Sequence, residues 1–175
     1  MEKTILDFIS NFQNPIFDKI AMAFNYMGKA GIVFIIIGLF FFIKKDTRQL
    51  GIHILLSLIF CLLLGNLLLK PIFARIRPYD LYNVDIIVKE LKDYSFPSGH
   101  TFSAFATAFT VNKYMKKFGK FMFVFAIIMG ITRLYLYVHF PTDVLGGIIL
   151  GYICYKLADI LMDKYINKKL KHKLC

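Results

Sequence analysis

Cysteine is scarce in this 175-residue chain. Cys61 and Cys154 lie in separate apolar runs and Cys175 is the last residue, with no C-x-x-C spacing, so neither a disulfide scaffold nor a zinc site is indicated. Internal repeats, low-complexity tracts and flexible linkers are missing too, which leaves a single domain. Polar surface is in short supply. Fully 58% of the residues are A, V, I, L, M, F, W, Y or C, against roughly 45–50% in an ordinary soluble domain. So short a chain has too little interior to hide that much apolar surface, and the excess is expected to face a bilayer. The fold class is therefore an all-α integral membrane protein.

A span of the roughly 30 Å hydrocarbon layer takes about 20 residues. Five apolar runs qualify, at approximately Gly28–Ile43, Gln49–Leu69, Gly99–Tyr114, Phe121–Val138 and Asp143–Met162. The first and third are short and call for bilayer thinning or snorkelling lysines. Before them, Asn11, Gln13, Asn14, Pro15, Asp18 and Lys19 interrupt the chain while Ile5, Leu6, Phe8, Ile9 and Phe12 recur at helical spacing. That pattern predicts interfacial amphipathic helices over 1–27, with a sixth span as the rival reading. A cleavable signal peptide is not expected, since the stretch has no uninterrupted apolar core. The layout is then interfacial helices over 1–27, a transmembrane core over 28–162 and a basic cytoplasmic tail over 163–175.

The formal charge of +11 is unevenly distributed. With five spans, one side collects thirteen basic and three acidic residues, the other nine and eight. The positive-inside rule makes the first side cytoplasmic, and topology accounts for the charge without nucleic acid as a partner. The N-terminal helices, the loop 70–98 and the turn 139–142 then lie on the outer side. The loop is the only long connection, and long loops in compact proteins are often functional.

Three polar clusters interrupt the outer ends of the spans. The first is Lys70-Pro71-Ile72-Phe73-Ala74-Arg75-Ile76-Arg77-Pro78, in which two prolines stiffen a segment that holds the Lys70 and Arg77 cations close together. Such a pair suits an oxyanion, although snorkelling cations at an interface have the same appearance. The second is Phe96-Pro97-Ser98-Gly99-His100-Thr101. Ser98 is a natural N-cap, the free N–H groups of the first turn make an anion seat, and His100 can exchange a proton near neutral pH. The third runs from Thr132-Arg133 to His139-Phe140-Pro141-Thr142-Asp143. Pro141 marks a first helical turn, and Asp143 within it can accept Nδ1–H from His139, leaving Nε2 as a lone-pair donor. Each cluster alone also reads as capping or interfacial chemistry. Three cations, two histidines and a carboxylate on one side of a membrane protein are costly enough to indicate a site.

The series Lys-x6-Arg-Pro, Pro-Ser-Gly-His and Arg-x5-His-x3-Asp resembles the type 2 phosphatidic acid phosphatase superfamily (PAP2), the lipid phosphate phosphatases whose site is shared with vanadium haloperoxidases. The motifs occur in order over Lys70 to Asp143, and the one departure is Thr132, where the family usually has Ser. The resemblance implies a PAP2-type helical bundle in a bacterial inner membrane, with the site facing the periplasm or cell exterior. It implies that Lys70, Arg77 and Arg133 hold phosphate, helped by Ser98 and the Gly99 N–H. His139 would attack phosphorus to form a phosphohistidine, Asp143 would orient it, and His100 would protonate the leaving oxygen and then activate water. No cofactor or metal is implied. Asp80, Asp85, Glu90 and Asp93 read as a solvated loop surface instead of magnesium ligands.

A membrane lipid phosphate is the implied substrate, and undecaprenyl diphosphate, phosphatidylglycerol phosphate and the 1-phosphate of lipid A are the candidates. The motifs read the phosphate and not the tail, so they do not rank these, nor do they give an oligomeric state. A haloperoxidase of the same pocket is disfavoured by the apolar spans. A lipid-binding or lipid-moving protein without chemistry is disfavoured by the complete set His100, His139 and Asp143. Asn66 is expected near the site or in a helix–helix contact. His53 and His172 fall away from the site, and Tyr79, Tyr94, Tyr135, Tyr137 and Phe140 are expected at a lipid entrance or interfacial belt.

Overall fold

The computed structural model describes residues 1–167, with side chains described to Lys164. The end of the basic tail, with Lys168, Lys169, Lys171, Lys173, His172 and Cys175, lies outside the described residues. Every regular element described is helical. Two short helices, α1 (Glu2–Ser10) and α2 (Pro15–Gly28), lead into α3 (Ile32–Ile43) and α4 (Arg48–Phe60). A wide π-helical stretch, Cys61–Leu69, continues α4 into α5 (Lys70–Phe73), and a turn of helix, α6 (Pro78–Tyr82), follows. After an irregular loop come α7 (Gly99–Tyr114), α8 (Lys116–Tyr135) and α9 (Pro141–Leu161).

The apolar pattern dictates where each helix sits. In α7, Ala, Ser and Thr are interspersed with Phe all round the helix, and ten of its residues from Thr101 to Val111 are buried. It has no polar face because it is the centre of the bundle, with α4, α8 and α9 packed against it. Its hydroxyls satisfy themselves within the helix: Thr107 and Thr110 donate to the carbonyls of Ser103 and Ala106, four residues back. Small residues also let α9 approach closely. A Cβ on Gly151 would stand 2.8 Å from the Phe102 carbonyl oxygen and 3.0 Å from the Ala106 nitrogen, so backbone meets backbone there.

Phe34, Phe41, Leu50, Ile54, Phe105, Met122 and Met129 join α3, α4, α7 and α8 in the largest buried cluster. The outward faces remain apolar, with Ile36, Phe40, Leu67, Val124, Ile149 and Ile160 all exposed. Exposed surface of that kind fits lipid and not water.

Among the described residues, four stretches are long and apolar enough to cross a membrane: Pro15–Ile43, Lys45–Tyr82, Lys116–Tyr135 and Pro141–Lys164. The run expected at Gly28–Ile43 is not a separate straight helix. The chain kinks at Lys29–Gly31, with Ala30 and Gly31 at positive φ, and the twelve-residue α3 spans only about 18 Å unaided. The run expected at Phe121–Val138 starts earlier and ends earlier, as α8. Lys116, Lys117 and Lys120 lie inside its first turns, while Tyr137, at φ 58°, turns the chain out of the helix before His139. The third run matches α7 residue for residue.

Five helices, α3, α4, α7, α8 and α9, run between two ends. At one end His53 lies 3.3 Å from the Tyr114 hydroxyl and 3.3 Å from the Tyr155 carbonyl, beside the Lys113–Asp159 pair. At the other end the three polar clusters meet.

Candidate active site

Lys70 arrives at the end of the π-helical stretch, and α5 stops at Ala74 in the left-handed region. Residues 74–77 form no regular element, and Pro78 at the first position of α6 makes Arg77, itself extended, its N-cap. This geometry turns both cations inward, and Lys70 and Arg77 are 4% and 3% exposed. Their shared partner is Asp93, whose carboxylate pairs with the Lys70 ammonium and lies 2.7 Å from Arg77 Nη2. The cations also tie down the loop backbone: Lys70 donates to the Tyr94 carbonyl at 2.7 Å and Arg77 Nε to the Asp93 carbonyl at 2.9 Å. Asp93, although half exposed, is thus more than a solvated loop residue. The two neighbouring cations hold its carboxyl down at about 2. Asp93 is 23 positions from Lys70 in sequence, so periodicity carried no signal for it.

His139 follows the turn after α8 and is buried at 2% exposure. Its Nε2 lies 3.3 Å from Arg77 Nη1, which also donates to the Val138 carbonyl at 2.8 Å. Its Nδ1 lies 3.5 Å from Asp143 Oδ2. Asp143, in the first turn of α9 and fully buried, accepts at Oδ2 from the Ser95 hydroxyl at 2.5 Å and the Phe140 N–H at 2.8 Å. Its Oδ1 accepts from Arg75 at 2.6 Å. Burial among the Arg77 and Lys70 cations pushes the His139 imidazole down to about 3, so at neutral pH the ring is uncharged.

The Pro-Ser-Gly-His cluster sits at the start of α7 as expected, with one difference. Ser98 is the N-cap residue, but its side chain makes no capping bond; its Oγ accepts from the Thr101 hydroxyl at 2.9 Å and its N–H donates to the Asp143 carbonyl at 3.1 Å. Gly99 and His100 face a cavity of about 740 Å³ that Lys70, Arg77, Asp93 and His139 also line. The cavity continues past Asn66 between Ile35, Leu55, Leu58, Ile59 and Leu62, so its polar end is the site and its other end is apolar. Neither Ser98 nor Arg133 lines it.

Arg133, buried at 0%, donates to the Asn25 side chain at 2.8 Å and to the Thr132 hydroxyl at 3.2 Å. The Asn25 carbonyl meanwhile takes a hydrogen bond from His100 Nε2 at 3.1 Å. Asn25 therefore holds two residues of different clusters, and the motifs give no hint of it. The His100 ring packs so tightly on Gly28 that a Cβ there would lie 2.1 Å from its Cδ2. Arg77, Arg133 and His139 are charged or ionisable neighbours of His100, which puts all three clusters within one electrostatic environment. Among the described residues, the Nε of Arg133 is a buried donor without a partner.

The tyrosines do not wall the cavity. Tyr135 and Tyr137 donate to Asp18 and Asp7, both at 2.6 Å, and anchor α2 to the end of α8 and α1 to the turn that follows it. Ser95, Arg75, Glu2 and Asn25 are the site neighbours that the motifs leave out. No group of three or more His, Cys, Asp or Glu side chains suited to a metal occurs among the described residues.

Fold and site together define a multi-pass helical membrane protein with Lys70, Arg77, His100 and His139 gathered around one cavity at one end of its bundle. Residues 50–165 match the PAP2 superfamily. The chain is 26% identical over 154 residues to the undecaprenyl-diphosphatase BcrC of Bacillus subtilis, covering 85% of this chain and 78% of that one. It is 30% identical to a lipid A 4′-phosphatase of Porphyromonas gingivalis, covering 95% and 77%. Among solved structures, the transmembrane PAP2-type phosphatidylglycerolphosphate phosphatase from Bacillus subtilis superposes with a TM-score of 0.72 at 29% identity, over 94% of this chain and 85% of that one. The chain spans about half the length of other curated relatives it matches. The chain belongs to the PAP2 superfamily and is a membrane lipid phosphatase, a hydrolase.

Proposed function

We propose that the chain hydrolyses the phosphomonoester or diphosphate of an envelope lipid through a phosphohistidine on His139. The observation that carries this reading is the setting of one uncharged imidazole: Nε2 beside the Arg77 guanidinium, Nδ1 toward the buried Asp143 carboxylate. With its proton on Nδ1, the ring offers its Nε2 lone pair to phosphorus as the bond to the leaving oxygen breaks. Lys70, Arg77 and Arg133, with Ser98 and the Gly99 N–H, are the groups assigned to the phosphoryl oxygens. Cations held in place stabilise charge on the equatorial oxygens without reorganising. A phosphoryl oxygen supplies the acceptor that Arg133 Nε lacks. His100 gives a proton to the leaving lipid oxygen and then takes one from the water that cleaves the P–N bond. With Nε2–H fixed on the Asn25 carbonyl, Nδ1 carries the exchanged proton: the ring takes it up as the substrate phosphate brings in its negative charge, gives it to the leaving oxygen, and regains it from the attacking water.

The relatives named above act on undecaprenyl diphosphate, a lipid A 4′-phosphate and phosphatidylglycerol phosphate, by their names. We extend to this chain the class they share: a phosphorylated amphiphile of the bacterial envelope, its tail seated in the apolar end of the cavity. The lipid A 1-phosphate stays in that class. Five spans with α1 and α2 at the interface, and a site on the periplasmic or outer face of the inner membrane, fit the charge distribution. The alternative, a lipid-binding protein of the same fold without chemistry, predicts no phosphate release at all.

The test is phosphate release in detergent from the three lipid classes, for wild type and for His139→Ala. Release by wild type and none by a folded His139→Ala is expected; comparable turnover by both refutes the nucleophile. Orientation is tested by maleimide labelling of intact cells carrying Lys89→Cys or Lys117→Cys. Labelling of the latter alone refutes the stated topology.

A further inference from the structure

We infer that Arg75 is a positioning residue of the reaction, fixing the Asp143 carboxylate and through it the His139 imidazole, and that Glu2 of α1 braces Arg75 from outside. The inference rests on the assignment of His139 as nucleophile.

Asp143 is a carboxylate with no exposed surface, and a buried charge persists only where every lone pair has a donor. Its two oxygens are served differently. Ser95, Phe140 N–H and His139 Nδ1 all lie on Oδ2, whereas Arg75 Nη1, at 2.6 Å, is the one hydrogen-bond donor to Oδ1 among the described residues. The guanidinium is therefore the second point that fixes the carboxylate plane. Without it, Oδ1 is a buried oxygen without that donor, and the group is held at Oδ2 alone, with more freedom to tilt against the imidazole.

Arg75 itself is held on three sides. Its guanidinium lies 3.9 Å from the centre of the Phe140 ring, in the turn that leads into α9. Its Nη1 also donates to the Thr142 hydroxyl at 2.6 Å, and its Nη2 to Glu2 Oε2 at 2.6 Å. The other Glu2 oxygen accepts from the Thr142 hydroxyl at 2.6 Å and from the Thr142 N–H at 3.2 Å. These bonds draw the Glu2 carboxyl below its usual range, against the opposing effect of partial burial. The first turn of α1 is thus joined to the first turn of α9 through one arginine.

Arg75 does not line the cavity; it approaches Asp143 from the opposite side to His139. It acts on the reaction through the carboxylate, and so separates from Lys70 and Arg77, its neighbours in the same sequence motif. Misplacing a reacting group by about 1 Å is enough to cost about 100-fold in rate.

The experiment measures kcat and KM for phosphate release by the full chain in detergent, for Arg75→Ala, Arg75→Lys and Glu2→Ala. Arg75→Ala is expected to lose about 10- to 100-fold in kcat with KM within about threefold, in line with that sensitivity to position. Added guanidinium ion is expected to restore part of the loss, and Arg75→Lys to fall between wild type and alanine. Glu2→Ala, at the partly exposed outer edge, loses about threefold in kcat alone, which is about 0.65 kcal/mol. Wild-type kcat in Arg75→Ala overturns the inference. So does a loss confined to KM, which makes Arg75 a phosphate ligand, or a folded Arg75→Ala that guanidinium cannot restore. If Arg75→Ala does not fold, wild-type kcat in both Arg75→Lys and Glu2→Ala overturns it as well. His139→Ala in the same series separates the two claims. Turnover there refutes the nucleophile, whereas a dead His139→Ala beside an unimpaired Arg75→Ala refutes only the role of Arg75.

Discussion

Replacing Asp93 with asparagine removes the anion that the resting site places between Lys70 and Arg77, and inorganic phosphate, as the product, reports the consequence. The carboxyl of Asp93 lies at about 2 against an ordinary 3.8. At 1.36 kcal/mol per pH unit, that difference corresponds to about 2 kcal/mol of attraction to the two cations. The Asp93 side chain is 55% exposed, so solvent screening reduces the figure to about 1 kcal/mol. A phosphate entering the same pair of cations displaces that contact, and removal of the contact strengthens phosphate binding by about fivefold. The assay is competitive inhibition of lipid phosphate hydrolysis by inorganic phosphate, wild type against Asp93→Asn, between pH 5 and 8. The inhibition constant is expected to fall about fivefold in the variant, with a ratio independent of pH because the carboxyl stays ionised throughout that range. Weaker phosphate binding in Asp93→Asn refutes the reasoning, and makes Asp93 a support that orders the cations instead of a competitor for them.

Acid weakens the fold through His139. The folded ring protonates at about 3 and an unfolded histidine at about 6.5, so between those values the unfolded chain binds the extra proton and stability falls with pH, by up to about 1.4 kcal/mol per pH unit for this one group. Thermal melting in detergent from pH 7 to 5 is expected to show this slope in wild type and a flatter one in His139→Ala; equal slopes refute it. Gly151→Ala places a methyl 2.8 Å from the Phe102 carbonyl, between α7 and α9, and is expected to destabilise by about 1–3 kcal/mol, read as a lowered Tm. Phosphate release is expected to survive excess EDTA, since Lys70, Arg77 and Arg133 supply the charge that a metal would otherwise provide; loss on chelation and return with magnesium overturns this.

The amino-acid order determined the helical class, the boundaries of α7 and the three polar clusters, because long apolar runs and residues a few positions apart on one turn are local properties. Lys70, Arg77, Gly99, His100 and His139 did come to line one cavity. Local pattern failed where neighbours in space are remote in sequence. Asn25 meets Arg133 across 108 positions, Glu2 meets Thr142 across 140, and Arg75 meets Asp143 across 68. Asp93 looked like one acidic residue among several in a polar loop, and Arg75 was only one of the six residues between Lys70 and Arg77. Only the packing of α1 and α2 over the end of the bundle, and the folding of the 83–98 loop onto Lys70 and Arg77, gave those charges their partners. Desolvation makes an unpaired charge prohibitive at that depth, so the tertiary structure decided which charge answers which.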